Sequence, residues 1–158
     1  MGVIPRLVQG IFLAISQGDP ALEFTVQVSY IEIYLEKVRD LLNPSQDNLR
    51  LRESKSKGVW IDGATDLYVS SFDEVLSVMR KGEGNRSIAA TKMNAKSSRS
   101  HAVFLLTVTQ RNRETNSRKS SKLVMVDLAG SEKVGKTGAH GLTLLQVFVV
   151  YFCVCTVS

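Results

Sequence analysis

The 158-residue sequence has few cysteines, prolines and tryptophans. Its two cysteines, Cys153 and Cys155, are too close together to form a disulfide framework, so a reducing compartment is predicted. The N-terminus lacks the basic-then-apolar pattern of a signal peptide. Met1-Gly2 could begin a myristoylation signal, but Arg6 stands where that signal needs serine or threonine. These absences argue against a disulfide-stabilised secreted domain.

The overall composition, with 44% hydrophobic and 22% charged residues, is typical of a globular protein. The length suits one hydrophobic core. A net charge of +5 would favour an acidic partner, either nucleic acid or an acidic protein surface. Much of the basic excess falls in predicted loops, so ordinary solvated loops explain it equally well.

The stretch Leu123–Glu132 has the pattern of a short buried strand that ends in an acid. In nucleotide-hydrolysing proteins, a carboxylate in the position of Asp127 lies beside the bound Mg²⁺. Gly130 follows three positions later, and a glycine allows a backbone N–H to approach a phosphate closely. Taken alone, Asp-x-x-Gly is common, and a strand followed by a turn is the simpler interpretation.

A second stretch, Asn94–His101, contains three serines and an arginine just before another apolar strand. Clustered hydroxyls can bind Mg²⁺ and phosphate oxygens, and an adjacent arginine can stabilise phosphate charge. Together, Asn-x-x-Ser-Ser-Arg-Ser-His and the later Asp-Leu-Ala-Gly-Ser-Glu resemble the two nucleotide-sensing switches of the kinesin motor domain. The resemblance extends from about Gly2 to Thr143.

The resemblance implies an α/β fold with a mixed central sheet flanked by helices. It also implies ATP hydrolysis coupled to movement on microtubules, with ATP and Mg²⁺ as cofactors and the microtubule cytoskeleton of the cytoplasm as the location. Neither a nucleic acid nor a membrane is expected as a partner. The resemblance assigns Arg99 and Glu132 to catalysis, as a pair that forms when the switches close. The residues that it assigns to nucleotide binding are Asn94, Ser97, Ser98, Asp127 and Gly130. Two of these, Ser98 and Asp127, are also assigned to Mg²⁺. Lys133 and Lys136 are assigned to tubulin.

Kinesins resemble other P-loop NTPases in carrying a Gly-x-x-x-x-Gly-Lys-Ser/Thr phosphate loop upstream of the serine-rich switch, and nothing before Asn94 matches it. We therefore expect an interior fragment of the motor domain that is inactive as an ATPase on its own. One match exists, Gly130–Thr137, but Gly138 and Gly141 make a poor first turn for the helix that must follow. Two alternatives stay open: a P-loop NTPase built on Gly130–Thr137, and a non-catalytic tubulin-binding piece.

Residues 1–143 are thus predicted to form a partial motor domain, and residues 144–158 an apolar tail that does not resemble the family. About fifteen residues are short of the ~20 that a membrane-spanning helix needs. A buried strand is another interpretation of the tail. We favour sequence foreign to the family, as translation of an unspliced intron or a frame error would produce.

The periodicity of apolar residues predicts the main elements. Two helices are predicted before the middle of the chain, at Ile4–Ile15 and Glu36–Leu42, and a third begins at the capping box of Ser71 and ends at Gly82 or Gly84. The predicted strands are Phe24–Ile33 with a bulge, short pairs within 48–69, Ala102–Gln110, and Lys122–Asp127. The last two are joined by a polar, mobile connector, Arg111–Ser121.

Overall fold

The computed structural model describes residues 2–55, 58–92, 100–129 and 148–157. Its two helices are α1 (Val3–Ser16) and α2 (Phe72–Lys92). Its strands are β1 (Leu22–Tyr34), β2 (Lys37–Asp40), β3 (Arg50–Ser54), β4 (Gly58–Asp62), β5 (Leu67–Val69), β6 (His101–Asn112), β7 (Arg118–Asp127) and β8 (Phe148–Val157). Within these residues, no helix combines the length and apolar character needed to cross a membrane.

The main sheet has the strand order β2-β1-β6-β7-β8, and β5 pairs with the first half of β1. Its strand pairs are all antiparallel among the described residues, so these residues contain no parallel part of the predicted mixed sheet. The predicted α/β class, a central sheet with helices packed against it, is confirmed. The strand pair β3–β4 forms a separate two-stranded sheet.

The core lies between one face of the main sheet and the two helices. Rows of facing side chains cross three strands: Tyr30 pairs with Phe104, which pairs with Met125, and all three are buried. Both helices contribute to the same cluster, through Val8 of α1 and Val75 of α2. The apolar stripe predicted for the first helix is therefore the surface that α1 packs on the sheet.

The predicted bulge in the first strand is wrong. The β1–β6 pairing is one-to-one from Leu22↔Asn112 to Ile33↔His101. The apolar pattern changes parity because the second half of β1 is buried on both faces, including Ile31 and Glu32. A buried face on each side removes the alternation that a half-exposed strand shows.

The predicted helix Glu36–Leu42 is also wrong, because this segment is the second strand of a hairpin. Leu35 and Glu36 form a two-residue turn with positive φ values of 48° and 62°, and β2 follows antiparallel to β1. Two consecutive residues with positive φ match the tight turns that suit the twist of a hairpin. Such turns usually contain Asn-Gly or Asp-Gly, so Leu-Glu gave no sequence signal.

The predicted cap of Ser71 at the start of α2 is confirmed, with Glu74 bonding back to Ser70 rather than to Ser71, and the predicted end of that helix is wrong. Ser71 Oγ accepts the Glu74 N–H at 3.2 Å, and Glu74 Oε2 accepts the Ser70 N–H at 2.7 Å. The helix continues through Gly82 and Gly84 to Lys92. A Cβ on Gly82 would lie 2.1 Å from Tyr30 Cδ1, so this glycine lets the helix approach the sheet.

Most of the predicted polar connector is strand. β6 and β7 extend to Arg111↔Arg118, and only residues 113–117 form the turn. The Asn112 side chain accepts the N–H groups of Glu114 and Thr115, each at 2.9 Å, which fixes the turn.

Candidate functional site

The two motifs singled out in the sequence leave the main sheet at the same edge. β6 begins at His101, the last residue of the serine-rich motif, and β7 ends at Asp127, where the Asp-Leu-Ala-Gly-Ser-Glu motif begins. Because the two strands are antiparallel neighbours with Ala102 opposite Asp127, the end of one motif lies beside the start of the other. The described ends of both motifs, at the start of β6 and the end of β7, can therefore face one ligand.

Arg86 of α2 bonds to both motifs. Its Nη1 donates to Asp127 Oδ2 at 3.3 Å. Its Nη2 donates to the backbone oxygen of Ser100 at 3.1 Å and to Ser100 Oγ at 3.2 Å. The rigid fork of a guanidinium fixes these acceptors relative to one another. One side chain on a helix therefore holds the end of the first motif against the start of the second.

Behind Arg86 lies Glu32, a carboxylate that is only 4% exposed. Its Oε1 is 3.7 Å from Arg86 Nε, and its Oε2 is 4.0 Å from Arg39 Nη1. Arg39 Nε in turn donates to Asp47 Oδ1 at 3.2 Å. We call Asp47, Arg39, Glu32, Arg86 and Asp127 the ion-pair chain. Its charges alternate in sign, which offsets the cost of burying Glu32.

His101 makes a second link between the motifs. Its Nδ1 accepts the backbone N–H of Ala129 at 2.9 Å. The β6–β7 ladder ends at Ala102↔Asp127. Beyond this pair, the imidazole of His101, instead of a backbone carbonyl, accepts the Ala129 N–H. The backbone just before Gly130 is thus tied to the residue that closes the serine-rich motif.

Asp40, 3% exposed, orders the loop beside the ion-pair chain. Its Oδ1 accepts the N–H groups of Leu42 and Asn43 at 2.8 and 3.1 Å, and its Oδ2 accepts the Thr65 N–H at 2.7 Å. From α2, Asn85 Nδ2 donates to the Leu41 oxygen at 2.7 Å. These bonds fix the turn of α2 that carries Arg86, and we assign Asp40 a structural role.

Tyr30 packs beneath this site, with its ring edge-to-face against Phe104 at 5.4 Å. Burial raises the pKa of Tyr30 above its ordinary value, and the carboxylates of Glu83, Asp127 and Glu32 raise it further, while the Arg86 charge opposes them. A phenolate here would lose solvation and face three carboxylates. The hydroxyl therefore stays protonated at neutral pH.

A pH dependence of stability follows from this raised pKa. Below the unfolded-state tyrosine pKa of about 10, both states are protonated and the contribution of Tyr30 is complete. As the pH rises past that value, the unfolded chain loses its proton before the folded one, so stability falls. We expect Tyr30→Phe to lessen this fall in urea denaturation between about pH 8 and about pH 12. Replacement of the exposed Tyr68 by Phe is the control, and an unchanged pH profile for Tyr30→Phe would contradict the argument.

Of the predicted site residues, the structure describes Asp127. It places this carboxylate at the end of β7, with its side chain 21% exposed. The other predicted site residues lie outside the described residues; they are Asn94, Ser97, Ser98, Arg99, Gly130, Glu132, Lys133 and Lys136. The competing match Gly130–Thr137 lies outside them as well.

Arg86, the partner of Asp127, and Glu32, which also contacts Arg86, were not identified from the sequence. Arg86 precedes the serine-rich motif, and Glu32 lies in β1. The available signal was an acid between Ile31 and Ile33, because a charge inside an apolar strand needs a partner. Nothing in the sequence pairs that acid with Arg86 in particular.

The chain matches a protein-family model, curated proteins and solved structures. Residues 1–147 match the family model described as the kinesin motor domain. The chain is 59% identical over 143 residues to the kinesin heavy chain of Syncephalastrum racemosum, and 51% identical over 144 residues to the human kinesin-1 heavy chain. These matches cover 90% and 91% of this chain but only 15% of each relative. A solved fast kinesin superposes with a TM-score of 0.82 at 57% identity, covering 90% of this chain and 40% of that one. The chain therefore belongs to the kinesin motor domain family.

Proposed function

We propose that this chain supplies the nucleotide-sensing part of an ATP-driven microtubule motor. The observation that carries the proposal is the junction of the two motifs at one sheet edge, where Arg86 bonds to both Ser100 and Asp127. A motor must convert the presence of a terminal phosphate into movement of its loops. Two loops that share one anchoring side chain can respond to that phosphate together. The solved fast kinesin that this chain resembles is an ATPase that interacts with microtubules.

The bonding of Asp127 is compatible with the proposed site for Mg²⁺ and ATP. Contacts within the described part of the chain use only Oδ2 of Asp127, which leaves Oδ1 to accept from a metal-bound water. No group of three or more His, Cys, Asp or Glu side chains among these residues could hold a metal by itself. That suits Mg²⁺, which is bound through one or two protein oxygens together with waters and phosphates.

In this proposal, each predicted residue keeps one role. Ser98 and Asp127 hold Mg²⁺, Asp127 through a water, and the ion neutralises phosphate charge. Asn94 and Ser97 contact the nucleotide, and the Gly130 N–H meets the terminal phosphate. Arg99 and Glu132 pair when the two loops close.

Two further roles concern the partner and the extent of the domain. Lys133 and Lys136 face tubulin, which places the protein on microtubules in the cytoplasm.

Residues 1–143 form the motor portion and residues 144–158 do not belong to it. The end of the family match at residue 147 supports a boundary in this region.

Lys136 separates this function from the P-loop alternative. The test uses a chimera in which the matched 143 residues replace their counterpart in the S. racemosum kinesin heavy chain. A tubulin-facing lysine is one exposed charge among several, so Lys136→Ala should weaken microtubule affinity by up to about 1 kcal/mol, more at low salt. ATP affinity without microtubules should stay unchanged.

Lys119→Ala is the matched control, because it removes the same charge from an exposed position near the opposite end of β7. It should leave both affinities unchanged. Loss of ATP binding in Lys136→Ala without microtubules would instead favour Gly130–Thr137 as the phosphate loop. If the parent chimera bound microtubules with an affinity that ATP did not change, a non-catalytic tubulin-binding piece would be favoured.

A further inference from the structure

The side chain of His101 occupies a position that the proposed function does not use. It is the first residue of β6, and its imidazole is half-buried. Its Nδ1 accepts the Ala129 N–H at 2.9 Å. An imidazole nitrogen accepts a hydrogen bond only when it carries no proton, so the neutral ring must hold its proton on Nε2.

The acceptor lies where backbone pairing stops. Ala102↔Asp127 is the last pair of the β6–β7 ladder, and Leu128 and Ala129 continue without a strand partner among the described residues. Without His101, the Ala129 N–H would lose the bond that fixes this segment. A backbone donor in a half-buried position costs free energy when it is left unpaired.

We propose that His101 is a positioning residue, whose Nδ1 holds the Ala129 N–H so that the next residue, Gly130, can present its own N–H to the terminal phosphate. This inference rests on the proposed function, because it assigns a phosphate contact to Gly130. His101 itself touches no ligand in the proposal. It acts through Ala129 and the adjacent Gly130, because its hydrogen bond fixes Ala129 relative to the start of β6.

The contact also complements the role of Arg86. Arg86 fixes Asp127 at the end of β7, and His101 fixes Ala129 two residues later. Both anchors connect to the segment Ser100–His101 at the start of β6. A displacement of Ser100 and His101 would therefore reach the segment Asp127–Ala129 at two points rather than one.

Two substitutions separate the acceptor from the bulk of the side chain. In His101→Asn, the amide Oδ1 is bonded to Cγ as Nδ1 is in histidine, so it can accept the same N–H. In His101→Leu, methyl groups take that position and cannot accept. Both variants remove the ring, so a merely structural role for the ring would affect them alike.

The readout is the affinity of the chimera, without microtubules, for a non-hydrolysable ATP analogue and for ADP. His101→Leu should bind the ATP analogue about tenfold more weakly, which corresponds to ~1.4 kcal/mol. Its affinity for ADP should stay within about twofold, because ADP lacks the phosphate that Gly130 would contact. His101→Asn should stay within about twofold of the parent for both nucleotides.

Several outcomes would overturn the proposal. Equal losses for the two nucleotides, or equal losses in the Asn and Leu variants, would reduce His101 to a packing residue. Nitrogen NMR of the parent chimera gives an independent test, with the ring proton expected on Nε2 and the Ala129 amide shift changed in Leu but not in Asn. If the parent chimera fails to bind nucleotide, the proposed function fails, and a proton found on Nδ1 would separately refute the His101 contact.

Discussion

Gly82→Ala is expected to destabilise the folded chain by roughly 3 kcal/mol, at the upper end of typical overpacking costs. The new methyl group would lie 2.1 Å from Cδ1 and 2.7 Å from Cε1 of Tyr30. The ring cannot easily move away, because it is buried and packs edge-to-face on Phe104. Either α2 must shift away from the sheet or Tyr30 must leave its position. Urea denaturation of the chimera measures the change.

Gly84→Ala, two residues along the same helix, provides the matched control. A Cβ at this position would have nothing within 4 Å. Since alanine is the better helix former, the control should gain up to about 1 kcal/mol. If both variants changed stability in the same direction and to the same extent, the close approach of α2 to Tyr30 would be refuted.

Arg86→Met should have the second large effect, a loss of about 3–5 kcal/mol in the free energy of unfolding. The arginine side chain is 14% exposed, and its removal would leave Glu32 and Asp127 facing each other's charge without a cation between them. Methionine keeps much of the apolar stem, so the loss reports the charge and the hydrogen bonds rather than a cavity. The measurement is again urea denaturation of the chimera.

Arg80→Met is the control, because Arg80 is exposed on the same helix and should tolerate the change within about 0.5 kcal/mol. The double variant Arg86→Met with Glu32→Gln should lose less than the sum of the single changes, since Glu32→Gln neutralises one of the two carboxylates that Arg86 contacts. Strictly additive losses would show that the ion-pair chain does not act as a connected unit.

Much of the fold could be predicted from local patterns. The stripe of α1, the capping box at Ser71 and the two strands of the β6–β7 hairpin each leave a periodic or capping signal. The failures share one physical origin, namely that long-range packing overrode a local signal. In the sequence, Gly82 resembles the end of a helix. The structure shows that a glycine is needed there because the ring of Tyr30 occupies the space that a Cβ would take. Likewise, Leu35 and Glu36 make a turn that only the pairing of β1 with β2 explains.

The candidate site divides along the same line. The place of Asp127 at the end of a strand could be predicted from the apolar run before it, and the structure places Asp127 at the end of β7. Arg86 and Glu32 could not be paired with it, because 41 positions separate Arg86 from Asp127 and no spacing rule spans that distance. The juxtaposition depends on α2 lying across β1 and on β1 lying beside β6, which are properties of the assembled sheet.

The pairing of β1 with β6 has a consequence for the order in which the chain can fold. β6 and β7 are joined by a turn of a few residues, so their hairpin can form in about 1–10 μs. β1 must instead find β6 across a separation of roughly 70 to 90 positions, and such non-local closures slow folding because their entropy cost precedes their contacts. The contact of Glu32 with Arg86 joins β1 to α2 and is likewise non-local, so it carries a similar entropy cost. The charges around Asp127 are therefore assembled late in folding. Until then, Glu32 is not yet paired with Arg86.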